Sequence, residues 1–109
     1  MVIANWSGRF PNLCRGEWTL EVNGVDVSMF IPSELRYSEM NTYGVYEEWH
    51  FENWEEVWES YEDGLECDEW IEEHGYWLDT ITDNIDIKKE IFYAINEKDW
   101  RHGSCGGCV

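Results

Sequence analysis

The sequence predicts an α+β fold: a small antiparallel sheet, built from an N-terminal hairpin and a third strand, followed by two to three acidic amphipathic helices. Three observations predict it. An Asn23-Gly24 pair is flanked on both sides by alternating apolar residues. Beyond residue 52 the apolar spacing changes from two to three and four. Finally, 17% of the 109 residues are aromatic, eight of them Trp, although the formal net charge is −17. Disordered acidic chains are poor in aromatics, so this composition points to a packed core. The length suits one domain spanning residues 1–109. Residues 1–51 read as mainly strand and loop, 52–100 as mainly helical, and 101–109 as a Gly/Cys-rich tail.

Residues 1–16 hold Trp6, Phe10 and Pro11 without a clear period and read as loop with one short strand. Trp18–Val22 and Val25–Ile31 alternate on either side of Asn23-Gly24. That is the strongest short-range hairpin signal, because a two-residue type I′ turn needs positive φ twice. Pro32 closes the second arm, and residues 33–44 read as a connection with a helical turn. Val45–Phe51 reads as the third strand. Trp54, Val57, Trp58 and Tyr61 then form a stripe at i, i+3, i+4 and i+7, with Asn53 and Glu56 placed to cap it and Asp63-Gly64 to end it. A second helix starts at Asp68, turns Cys67, Trp70, Ile71 and His74 inward, and stops near Gly75. Trp77, Leu78 and Ile81 add another turn or so of helix. The last helix runs from Asn84 to Lys98 on a stripe of Ile87, Ile91, Phe92 and Ile95.

The charge is confined. Tyr37–Ile87, 51 residues, contain 17 Asp or Glu and no Lys or Arg, while the other 58 residues carry seven acids and seven bases. A solvated helix face ordinarily mixes signs, because Glu–Lys pairs at i,i+4 support the helix. Like charges such as Glu52/Glu56, Glu55/Glu59, Glu59/Glu62 and Glu69/Glu73 each oppose it by a few tenths of a kcal/mol. Solubility alone is met by a net charge of roughly 2–8. The array therefore reads as a binding surface, carried by Glu47, Glu48, Glu52, Glu55, Glu56, Glu59, Glu62, Asp63, Glu66, Asp68, Glu69, Glu72 and Glu73. Such a surface repels nucleic acid and anionic membranes, so the expected partner is a basic protein. Duplex DNA presents one charge per about 1.7 Å, and 17 carboxylates match about 29 Å of it.

In size, in the base-free run Tyr37–Ile87 and in the Glu rows between Glu47 and Glu73, the chain resembles the acidic DNA-mimicking inhibitors of phages and mobile elements. Those proteins act against restriction and CRISPR nucleases. The resemblance is compositional, covers about half the chain and transfers no individual position. It implies an anti-restriction or anti-CRISPR type of inhibitor that fills the cationic DNA- or RNA-binding groove of a nuclease or effector complex. A homodimer is compatible with it.

Two other readings stand beside it. One is an immunity protein or antitoxin that neutralises a basic toxin. The other is a small zinc or thiol protein, since His102, Cys105 and Cys108 have H-x2-C-x2-C spacing. That spacing supplies three of the four ligands of a structural zinc site, with Cys14, Cys67, His50 or His74 as the fourth. The bland reading, an irregular tail with incidental thiols, expects no cofactor. No G-x-S-x-G, P-loop, G-x-G-x-x-G or H-E-x-x-H motif is present, so no catalytic residue is expected. No export signal and no apolar run of about 20 residues is visible, so the expected compartment is the cytoplasm.

The crowding has a measurable consequence. Raising ionic strength from about 0.01 M to 1 M shortens the screening length from about 30 Å to about 3 Å. The melting temperature should rise over that range; a value indifferent to salt would mean that the carboxylates lie too far apart to act as a block.

Overall fold

The structure is a computed structural model and describes residues 1–8, 15–42 and 65–99. Among these the fold is α+β: a three-stranded antiparallel sheet of order β1-β2-β3 with helices packed on it.

The Asn23-Gly24 turn forms as its residues require. φ is +50° at Asn23 and +85° at Gly24, the left-handed pair that Asn and Gly adopt at least cost. It joins β2 (Trp18–Val22) to β3 (Val25–Asp26), placing Val22 opposite Val25 and Glu21 opposite Asp26. The second arm is much shorter than the predicted Val25–Ile31 strand, and the cause is Ser28. The Val27 N–H still donates to the Leu20 carbonyl at 2.9 Å, but the Leu20 N–H donates to Ser28 Oγ at 2.8 Å. A hydroxyl has taken the place of a strand carbonyl, as Ser side chains do when they compete with a ladder. Val27 then turns at φ −118°, ψ 17° into a 3₁₀ turn over Ser28–Phe30.

The other neighbour of β2 is β1 (Val2–Trp6), antiparallel from Val2 opposite Val22 to Trp6 opposite Trp18. The third strand of this sheet is thus the short strand near the N-terminus. The strand predicted at Val45–Phe51 and the helix predicted from Asn53 lie outside the described residues. Ala4, Trp18 and Leu20 are buried on one face of the sheet, while Ile3, Asn5, Thr19 and Asp26 are exposed on the other. Between the sheet and the helices, α1 (Ser33–Arg36) supplies the helical turn expected in the connection.

Three helices follow. In α2 (Cys67–Glu73), Trp70 and Ile71 are buried, and in α3 (Gly75–Ile81), Trp77 and Leu78 are. Gly75, read as a helix stop, instead opens α3; the break is confined to His74, at φ −98°, ψ 7°. The last helix, α4 (Ile85–Asn96), buries Ile91, Phe92 and Ile95 from the predicted stripe. Asn84 caps it, with Oδ1 accepting from the Asp86 N–H at 2.8 Å and the Ile87 N–H at 3.2 Å. This helix packs across β1 and against α2. Trp70 is central: its ring lies 5.6 Å from Phe92 and 6.0 Å from Trp77, both edge-on, geometries that aromatic quadrupoles favour.

An irregular segment, residues 38–42, joins these layers. The Trp18 indole donates to the Ser38 carbonyl at 2.7 Å and the Trp70 indole to the Met40 carbonyl at 2.9 Å. Asp99, fully buried, accepts from the Met40 N–H at 2.9 Å, the Thr42 N–H at 2.7 Å and the Thr42 hydroxyl at 2.5 Å. Replacing Asp99 with Ala orphans two buried N–H groups. The expected loss is about 2–4 kcal/mol of unfolding free energy, measured by urea denaturation, with Asp99→Asn losing less because one acceptor survives.

Candidate functional site

Of the thirteen acids predicted to form the binding surface, the structure describes Glu66, Asp68, Glu69, Glu72 and Glu73. Glu47, Glu48, Glu52, Glu55, Glu56, Glu59, Glu62 and Asp63 lie outside the described residues, as do Cys14, His50, His102, Cys105 and Cys108.

The five described acids are all exposed, while Trp70, Ile71 and His74 are buried behind them. Helical geometry explains the sorting. At about 100° per residue, Cys67, Trp70, Ile71 and His74 fall within an arc of about 100°. Residues 66, 68, 69, 72 and 73 share the opposite arc of about 160°. Asp68 and Glu69 occupy the first turn of α2, where the positive end of the helix dipole favours them. Glu69, Glu72 and Glu73 stand three and four residues apart and repel one another.

Among the described residues, none of the five is in an ion pair. Lys88 pairs with Asp79 of α3. Arg36 turns its guanidinium to backbone, donating to the Ile31 carbonyl at 3.0 Å and the Met29 carbonyl at 3.3 Å. Two rings within the described part of the base-free run reach solvent: Tyr37, 54% exposed, and Tyr76, 64% exposed in α3 just beyond Glu73.

The face rests on His74, between α2 and α3. Its Nδ1 accepts the Trp77 indole N–H at 2.9 Å, and its ring lies 4.6 Å from that of Trp70. The apolar spacing of the sequence places it inward as a packed histidine, and there it is. Among the described residues no three His, Cys, Asp or Glu side chains converge on a metal position. Cys67 is a free, half-buried thiol whose pKa is pushed up by burial and by the neighbouring Asp68.

The sequence matches the profile of the PM0253 family over residues 4–98. The chain belongs to that family. It is 35% identical over 113 aligned positions to the uncharacterized protein PM0253 of Pasteurella multocida (strain Pm70), with 98% of this chain and 91% of the relative covered. No solved structure matches. Within this PM0253-family chain, the matched region contains all the described helices, most of the sheet and the five exposed acids. No described helix is long and apolar enough to cross a membrane.

Burial holds the His74 pKa below its ordinary 6.5, with Glu73 opposing in part. The native state therefore keeps a neutral ring while the unfolded chain takes up a proton below about 6.5. Stability from this residue is complete above that pH and is lost as pH falls toward the lower native value. In chemical denaturation, the stability advantage of the wild type over His74→Gln should shrink between pH values of about 7.5 and about 5.

Proposed function

We propose that this protein is a non-catalytic, nucleic-acid-mimicking inhibitor that occupies the cationic DNA- or RNA-binding groove of a basic protein. The target class is a nuclease or effector complex of the restriction or CRISPR type. One observation carries the reading: α2 holds its carboxylates outward in one arc while the described Lys and Arg residues leave them unneutralised.

The density of charge fits. Residues 66–73 cover about 11 Å at 1.5 Å per residue, a length over which duplex DNA presents about six charges; the protein presents five. A rigid helix backed by Trp70 and Ile71 keeps that spacing at little entropic cost on binding. Tyr76 and Tyr37 add exposed rings of the kind that anchor protein interfaces and that a phosphate backbone lacks. Association driven this way is fast at low salt and slows steeply as salt rises.

The test is charge reversal with the fold preserved. Glu69, Glu72 and Glu73 are exposed, so replacing all three with Lys should leave the circular dichroism spectrum unchanged. Wild-type protein immobilised at low salt should capture a basic nucleic-acid-binding protein from host lysate and release it on a salt gradient. The triple variant should lose that capture, by about 100-fold in affinity. Undiminished capture by the triple variant would refute the reading.

A further inference from the structure

His74 is shared by two helices, and the chain turns at that residue. Its backbone N–H closes α2 on the Trp70 carbonyl at 2.9 Å, while its own carbonyl opens α3 by accepting the Trp77 and Leu78 N–H groups at 3.2 and 3.0 Å. The residue itself, at φ −98° and ψ 7°, belongs to neither helix. Its side chain spans the break. The ring lies against Trp70 of α2 and accepts the indole N–H of Trp77 in α3.

The direction of that bond fixes the state of the ring. An indole N–H can only donate, so Nδ1 accepts and the neutral ring carries its proton on Nε2. An imidazolium has an N–H at both nitrogens. Proton uptake at Nδ1 therefore sets one N–H against another, at a point where Trp77 is 2% exposed and His74 7% exposed. A buried donor that loses its acceptor is costly. Burial of the ring opposes protonation, and Glu73 of α2 is the charged group that favours it. Charges on the neighbouring elements are engaged elsewhere: Asp79 of α3 pairs with Lys88 of α4, and Lys89 of α4 acts on Cys67. The 3₁₀ turn that packs on α3, Ser28–Phe30, has no acidic or basic side chain.

We infer that His74 is a proton-operated latch between α2 and α3: when Nδ1 takes up a proton, Trp77 loses its acceptor and α3 comes away from α2, while the sheet and α4 keep their places. α2 stays behind because Trp70 is also packed edge-on against Phe92 of α4, 5.6 Å away. In the opened state the freed ring titrates at the ordinary imidazole value of 6.5. The equilibrium constant for opening therefore grows by up to about tenfold per pH unit as pH falls below that value. The latch requires no partner and stands apart from the reading of the α2 face as a nucleic-acid mimic.

The experiment is amide hydrogen exchange on the full chain between pH values of about 7.5 and about 5.5, read as protection factors so that the intrinsic pH dependence of exchange drops out. The Leu78 amide, which donates to the His74 carbonyl, should lose about threefold to tenfold of its protection over that range. Amides of Val27 in the hairpin and Phe92 in α4 should keep theirs. In ¹H–¹⁵N spectra the Trp77 indole resonance should move along the same titration curve as the His74 ring. His74→Gln, which has no titrating ring, should show Leu78 protection that does not vary with pH. If that variant fails to fold, the wild-type exchange and indole titration decide the matter. Equal loss of protection at Leu78, Val27 and Phe92 would mean whole-chain destabilisation and overturn the latch. So would constant Leu78 protection in the wild type, an indole resonance indifferent to the His74 titration, or a pH dependence that survives in His74→Gln.

Discussion

The described structure depends on satisfying one irregular stretch of buried backbone. Residues 38–42 run between the sheet and the helices without a ladder or helix of their own, yet Met40 and Thr42 are buried. Buried peptide groups without partners are costly. Here the partners are supplied from every side: Trp18 of β2 to the Ser38 carbonyl, Trp70 of α2 to the Met40 carbonyl, and Asp99 beyond α4 to the Met40 and Thr42 amides. Asn41 sits at φ +67°, a conformation that Asn tolerates better than most residues, and its carbonyl accepts the Leu65 N–H at 2.8 Å. The indoles of Trp18, Trp70 and Trp77 have each found an acceptor, so the aromatic richness that makes the core also ties its layers together.

This arrangement makes a heavily charged chain foldable. Self-repulsion among the carboxylates acts at the surface, while cohesion comes from aromatic rings and hydrogen bonds inside. The two are separated on α2: Trp70 and Ile71 on one side, four carboxylates on the other, with Glu66 at its N-cap. Two of the described cations are used locally. Arg36 holds the carbonyls of the 3₁₀ turn and Lys88 meets Asp79, so neither is spent on the acidic face. On the outer side of the sheet, the cross-strand pair Glu21–Asp26 repeats the same imbalance on a smaller scale.

Much of the fold is legible in the residues themselves. Asn23-Gly24 dictates its turn because few other pairs reach two positive φ values cheaply. Asn84 caps α4, and the stripe Ile91, Phe92, Ile95 selects its buried side. The inward set Trp70, Ile71 and His74 follows from spacing alone. What spacing misreads is where competing hydrogen bonds intervene. Val25–Ile31 alternates like a strand, yet the Ser28 hydroxyl ends the ladder after Asp26. Gly75 looks like a terminator, yet the chain needs only one non-helical residue, His74, to redirect itself. Of the acidic surface, the outward placement of Glu69, Glu72 and Glu73 was readable from the same spacing. The pairing of Glu21 with Asp26 follows from the two-residue turn.

By itself, the sequence determined the local elements and the sign and location of the charge, because turn chemistry, capping and periodicity are properties of neighbours along the chain. Only the tertiary structure decided how a buried Asp99 binds a segment nearly sixty residues away, and that Arg36 meets the Met29 and Ile31 carbonyls and Lys88 meets Asp79. Those choices rest on which buried polar groups meet in space, and no short-range pattern carries that information.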